Sequence, residues 1–392
     1  MKYVPLALAA FALAACSSDH ATAPIANDQA ALSRGSQDDF YNGGDDDRDE
    51  DGDGFVYTLS NQAAGNSVLR YSRDRKGTLT PAGSVASGGT GSGAGLGSQN
   101  ALVLSPDGDL LFAVNAGSNT VSSFRLRGNQ LTLVSTASSG GVHPISLTAS
   151  GGLLYVLNDG GNGNISGLRY NNNGNLNPIA NSSRALSSTS AGPAQIQFTD
   201  DGGRLIVSEK NTNMIDTYNM SNNGLASNGA FQNSSGVTPF GFAINGSTLV
   251  ISEAFGGAAD AGAVSSYEVG RFGLPHIVTA TLHNSETAPC WVAITDDGKF
   301  AYSTNTGSGT VSGFAINRNG SLSALDANGV TAVFGDGTAP ADISLSHNSR
   351  YLYTRNGGSH TIGVARIKGN GSLKVLNGIS GLPAGTVGLV AQ

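Results

Sequence analysis

From residue 55 onward the chain alternates short apolar runs with clusters of Gly, Asn, Ser and Asp, and its apolar positions do not recur at the three-and-four spacing of a helix. Seven of these runs end on an Asn or Glu, are followed by a polar turn, and re-enter an apolar run that usually closes on an aromatic. The line-ends are Asn61, Asn115, Asn158, Glu209, Glu253, Asn305 and Asn356, spaced by 54, 43, 51, 44, 52 and 51 residues. A period of that size, filled with strands, predicts a β-propeller in which each repeat is one four-stranded blade.

One repeat can be read strand by strand. Pro289 to Thr295 is an inner strand, Asp296-Asp297-Gly298 turns the chain, Phe300 to Asn305 is the second strand, Thr310 to Phe314 the third, and Asn319-Gly320-Ser321-Leu322 leads into the outermost. Asn-Gly pairs at 173, 223, 319 and 370 supply the positive φ that tight hairpins require. The first repeat lacks an inner strand before Phe55, and the apolar run Val387 to Ala391 has no blade of its own. The C-terminal run therefore completes the first blade, removing two exposed edges and giving an all-β, seven-bladed β-propeller over residues 55–392.

Composition fits this plan. The 56 glycines fall between aliphatic runs, as turn and close-packing residues do. The net charge is −7, but residues 37–54 alone carry −8, which leaves a near-neutral body with no electrostatic footprint for nucleic acid. A closed ring has no edge that demands a partner, so a monomer is expected.

The N-terminus carries a second pattern. Lys2, the apolar stretch Tyr3 to Ala15 and the sequence Leu13-Ala14-Ala15-Cys16 have the layout of a secretory signal over residues 1–16, too short to span a membrane. The stretch resembles a bacterial lipoprotein signal, which implies lipidation of Cys16 and anchoring in the cell envelope. Ser17 implies the outer membrane, on its periplasmic or its surface face. Residues 17–54 read as a solvated acidic tether. Within it Asp49, Asp51 and Asp53 alternate as in a calcium loop, yet the twelfth position is Ser60 instead of the bidentate Glu, and no helices flank the run. An extended, self-repelling linker is the simpler reading, with calcium as its alternative and no other cofactor expected.

Inner and second strands run antiparallel, so the starts of the one and the ends of the other meet on the same side of the ring. That mouth gathers His143, Gln195, Phe240, Trp291 and Asp342 with the line-end residues. Glu209 and Glu253 place carboxylates on neighbouring blades, with Lys210 beside the first. They serve either as general acid and base or as caps of backbone amides, the role expected of the Asn residues. His143 is either a catalytic base or a turn cap. Trp291, the sole Trp, is either a stacking platform or a plug of the channel. The His residues form no metal-ligand spacing.

Leu154-Tyr155-Val156-Leu157-Asn158, Ser118 to Phe124 and Asn319-Gly320-Ser321-Leu322 resemble the lactonase family of seven-bladed propellers, which includes 6-phosphogluconolactonase and grades into surface-antigen propellers with Tyr-Val-Thr-Asn repeats. The resemblance implies ring-opening of a lactone at the mouth, with His143 near one family position and Glu209 at another. It departs where the family has an Arg-His pair, here Ala194-Gln195, and where an Arg follows a late Asn, here Thr306 after Asn305. Lys210 or Arg355 is the substitute cation, and Gln195, Trp291, Asp342, Asn158, Asn305 and Arg355 are the expected ligand contacts. The alternative function is a non-catalytic propeller that binds a glycan, peptide or envelope protein.

Overall fold

Strand pairing closes a ring of seven antiparallel sheets, in a computed structural model that describes residues 54–335 and 337–392. The signal segment, Cys16 and the acidic run with Asp49, Asp51 and Asp53 lie outside the described residues. Blade 1 takes its inner strand from Val387–Ala391 and the rest from Gly54–Leu59, Ser67–Arg73 and Leu79–Ala86. Blades 2 to 7 follow in chain order, with inner strands Leu102–Leu104, Val142–Ser150, Pro193–Phe198, Pro239–Asn245, Pro289–Ile294 and Pro340–Leu345. Among the described residues the one helical turn is Phe255–Gly257.

The ring closes as the sequence predicts. Val56 pairs with Ala391, Tyr57 with Val390 and Leu59 with Val387, and the Gln392 amide donates to the Phe55 carbonyl at 2.8 Å. Every residue of the second strands Leu110–Asn115, Arg204–Glu209 and Tyr351–Asn356 is buried, because a second strand lies between two neighbouring blades on both of its faces. This is why these segments read as continuous apolar runs instead of alternating ones.

Blades are locked to one another through their hairpins. The Tyr155 hydroxyl donates to the Gly224 carbonyl at 2.9 Å and that of Tyr302 to Gly371 at 2.7 Å, each reaching the Asn-Gly hairpin of the following blade. Gly371 has φ +83°, and a Cβ there would stand 2.5 Å from the Phe300 ring, so both the turn and the close approach require glycine. These hairpins and Gly54 lie at the base of the ring, opposite the mouth.

Two line-ends differ from the regular pattern. Asn61 lies beyond its strand, which ends at Leu59, and takes a left-handed φ of +50°. In blade 3 the second strand, Leu153–Gly160, runs past Asn158 and so carries Asp159 out onto the mouth.

Candidate functional site at the propeller mouth

The line-end Asn residues bind their own turn and the loop arriving from the preceding blade. Asn115 donates to Ser122 Oγ at 2.8 Å and accepts from Ser87 Oγ at 2.6 Å. Asn305 donates to Ser312 Oγ at 2.8 Å and accepts from Asn284 at 3.1 Å. Asn158, fully buried, donates weakly to the Ser139 carbonyl at 3.4 Å. Asn158 and Asn305 thus hold the turns of the mouth from beneath.

Glu209 and Glu253 occupy equivalent places, and neither has solvent-exposed surface. Glu209 accepts from the Ser187 amide at 2.9 Å and from the hydroxyls of Ser187 and Thr212. Glu253 accepts from the Gly236 amide at 2.7 Å, Ser265 Oγ at 2.6 Å and Ser234 Oγ at 3.2 Å, while burial pushes its carboxyl above the usual range. Both act in the structure as the caps that the Asn residues are elsewhere, one on blade 4 and one on blade 5.

A residue that sequence reasoning missed sits behind Glu209. Asp216 is fully buried, and its pKa is pushed up to about 10, first by burial and then by the hydrogen bond and charge of Glu209. The Tyr218 hydroxyl lies 3.2 Å from its Oδ2. At neutral pH Asp216 therefore keeps its proton.

The axial channel is closed from blade 2. Residues 96–99 cross the ring, and the Gln99 side chain pairs with blade 6 as a strand would: Nε2 donates to the Val292 carbonyl at 2.7 Å and Oε1 accepts from its amide at 3.0 Å. Gln195 does the same to Phe242 of blade 5, at 2.8 and 2.7 Å. Trp291 Nε1 donates to the Ser98 carbonyl at 2.9 Å, and its ring packs against Phe240 at 5.1 Å. Gln195 and Trp291 are thus parts of a plug, with their polar groups bonded inside the protein. The expected ligand contact through either of them gives way to this, since neither side chain presents a polar group to the surface. Cys290 is fully buried beside Trp291.

What stays open lies on the rim of blades 3 and 4. His143 and Asp159 pair at 2.5 Å through Nδ1 and Oδ1, with side chains 34% and 29% exposed. Asp159 raises the His143 pKa by hydrogen bond and charge, against the opposing effect of burial. His143 has φ +57°, but the residue before the inner-strand Pro is left-handed in blades 4 to 7 as well, at Gly192, Thr238, Ala288 and Ala339. The strain therefore belongs to the repeat, and blade 3 is distinguished by placing an imidazole there.

Lys210 completes this rim. Its ammonium donates to the Gly97 carbonyl at 2.7 Å and lies 4.9 Å from the Phe240 ring centre, while the side chain retains part of its surface. Burial drives its pKa down to about 8, opposed by the charge of Asp159. The Asp159 charge thus acts on both groups, through a direct hydrogen bond to His143 and through space on Lys210.

Asp342 and Arg355 lie apart, on blade 7. Burial pushes Asp342 up to about 7, with Arg355 opposing, and its Oδ1 accepts from the Ile343 amide at 2.9 Å. Arg355 Nη2 donates to the Ala341 carbonyl at 2.8 Å. Thr306, where the resembling family has Arg, is buried and donates to the Pro340 carbonyl at 2.8 Å, and Ala194 is fully buried. Among the described residues no group of three or more His, Cys, Asp or Glu is placed to hold a metal ion.

The family model described as "Lactonase, 7-bladed beta-propeller" matches residues 53–166, 101–270 and 261–380. Comparison with curated proteins gives no match. Among solved structures, the periplasmic gluconolactonase of Pseudomonas aeruginosa is 17% identical with a TM-score of 0.68, over 86% of this chain and 99% of that one. A putative 6-phosphogluconolactonase from Bacteroides fragilis is 18% identical with a TM-score of 0.65, over 86% and 98%. One from Bacteroides uniformis is 19% identical with a TM-score of 0.66, over 85% and 99%. At these identities the likeness is one of fold.

Proposed function

Because the chain belongs to the lactonase family of seven-bladed β-propellers, we propose that it opens a lactone ring at the mouth, with His143 as general base. The observation that carries this reading is the His143 to Asp159 pair on the open rim beside Lys210. Asp159 accepts from Nδ1–H, which leaves Nε2 to take a proton from water. The resulting hydroxide adds to the lactone carbonyl, and the oxyanion forms facing the Lys210 ammonium. The ring C–O bond then breaks, and the leaving alkoxide takes the proton back from His143 to give the hydroxy acid. Glu209 and Glu253, buried and bonded to their turns, frame the site instead of acting as the base.

The test is proton release from a panel of aldono-, carboxy- and acyl-lactones by protein lacking residues 1–16. His143→Gln should lower turnover by roughly a hundredfold or more, the usual contribution of a positioned base. Equal rates in the variant and the parent protein would remove His143 from the chemistry.

A second reading has its own support. The positions that carry Arg and His in the resembling enzymes hold Ala194, Gln195 and Thr306, all buried, so the mouth is poor in cations for a charged substrate. This favours a propeller that binds a glycan, peptide or envelope protein without turnover, and a ligand recovered chemically unchanged after long incubation would decide for it. In either case the proposed location is the cell envelope, through lipid on Cys16. Cys16→Ala should release the protein from the membrane fraction.

A further inference from the structure

The charges at the base of the ring are not spread evenly around it. Six exposed cations lie at the base of three neighbouring blades: Arg366, Lys368 and Lys374 on blade 7, Arg75 and Lys76 on blade 1, and Arg127 on blade 2. Arg125 and Arg350, half-buried, add to this arc. Its exposed acids are Asp74, Asp107 and Asp109. On the base of blades 3 to 6, by contrast, the exposed cations Arg169, Arg271, Lys299 and Arg318 are outnumbered by Asp200, Asp201, Glu268, Asp296 and Asp297. One sector of the base is therefore basic, and the rest is close to neutral.

Packing joins the basic positions into one surface. The Tyr351 hydroxyl at the base of blade 7 donates to the Arg75 carbonyl at 2.8 Å, and Arg70 of blade 1 donates to the Asn129 carbonyl in the hairpin of blade 2. Arg75, Lys76 and Lys368 lie between the third and outer strands of their blades, in the hairpin loops that end the blades on this side. A flat surface approaching the base meets such loops first. Among the described residues none of the six exposed cations makes an ion pair closer than 4.0 Å. Asp74 is turned to its own hairpin, where Oδ1 accepts from the Lys76 and Thr78 amides at 2.9 and 2.8 Å, and Asp107 accepts from the Asp109 amide at 3.2 Å.

We propose that this arc docks the base of the propeller on a membrane through anionic phospholipid headgroups. Lys and Arg clustered on one face are drawn to such a surface, and the attraction fades over a Debye length of about 8 Å at physiological salt. Gly54, where the described chain enters blade 1, lies within the arc, so a lipid on Cys16 would hold the propeller by this same side. Lipid and basic surface together anchor more firmly than either alone. The mouth then points away from the membrane, and the docking needs no turnover there. The acidic run 45–53 precedes Gly54 in the sequence and weakens the attraction, so the test retains it.

Co-sedimentation of the protein from residue 17 onward with vesicles reads the docking. At about 0.1 M salt, vesicles with about 30 mol% phosphatidylglycerol should retain roughly tenfold more protein than vesicles of phosphatidylcholine alone, and about 0.5 M salt should abolish the difference. Arg75→Glu, Lys76→Glu and Lys368→Glu combined should lower the binding about tenfold. Arg271→Glu, Lys299→Glu and Arg318→Glu combined, at the base of blades 5 and 6, should change it by less than about twofold. The comparison of the two vesicles needs no variant and by itself can overturn the docking. Equal retention on both vesicles, an equal loss in the two triple variants, or tighter binding to a DNA duplex than to the anionic vesicles at the same salt overturns it.

Discussion

Asp216 stands behind Glu209 at the place where blades 2 and 6 set Ser122 behind Asn115 and Ser312 behind Asn305, seven residues on in each case. One blade thus buries an acid pair where its sisters bury an amide and a hydroxyl. With the folded-state pKa of Asp216 pushed up to about 10 against an ordinary value of 3.8, the folded protein binds the extra proton. Its contribution to stability is complete below about pH 4 and is lost as pH rises toward 10. Asp216→Asn keeps a neutral group of the same shape, so the fall in melting temperature between pH 5 and 9 should be shallower in the variant. Parallel melting curves would remove the Asp216 proton from the account.

The Asp159 carboxylate raises the His143 pKa, so the free base and the proposed turnover should increase as pH climbs through that value. Asp159→Asn removes the charge and should move the midpoint of the pH profile to lower pH. It should also slow the plateau rate by about ten to a hundredfold, because the ring loses its orientation. NMR titration of His143 checks the pKa shift independently of any substrate.

For Lys210 the sign is opposite. Its folded pKa of about 8 lies below the ordinary 10.5, so the unfolded chain binds more protons between those values and stability should rise with pH across that window. Lys210→Met should abolish the rise, as read by denaturant midpoints at pH 7.5 and 10. It should also cost the proposed hydrolysis roughly a hundredfold, the usual weight of one oxyanion-stabilising group.

Trp291 supports the floor of the mouth. Trp291→Ala should destabilise the protein by about 3–5 kcal/mol through the cavity it leaves. Trp291→Phe, which mainly loses the bond to Ser98, should cost about 1 kcal/mol. Chemical denaturation separates the two, and near-equal costs would mean that the ring does not fill the channel.

The fold was legible because each repeat states its own strands and turns locally, and the incomplete first repeat announces its distant partner at Val387 to Ala391. The site was legible only where it shares that local logic. Asp159 was within reach: once Pro144 pairs with Asn158 and Val142 with Gly160, His143 must stand opposite Asp159. Asp216 could have been found by asking what each repeat places seven residues after its line-end. Gln99 could not, since it lies in a Gly-rich loop and its partner Val292 is 193 residues away on another blade. The plug made by Gln99, Gln195 and Trp291 is a contact across the ring, and periodicity describes only what lies within a blade.

Tyr57 and Gln392, joined by their side chains at 3.4 Å, stand 335 residues apart in the chain. At a synthesis rate of roughly 5–20 residues per second, the strand Gly54–Leu59 emerges on the order of half a minute before the strand that will cover its inner side. Throughout that interval its unpaired amides and carbonyls form a sticky ribbon, open to pairing with any nascent neighbour. The clasp that covers this edge in the finished ring therefore also makes the first-made blade the last to mature, and its folding waits for the strand Val387–Ala391.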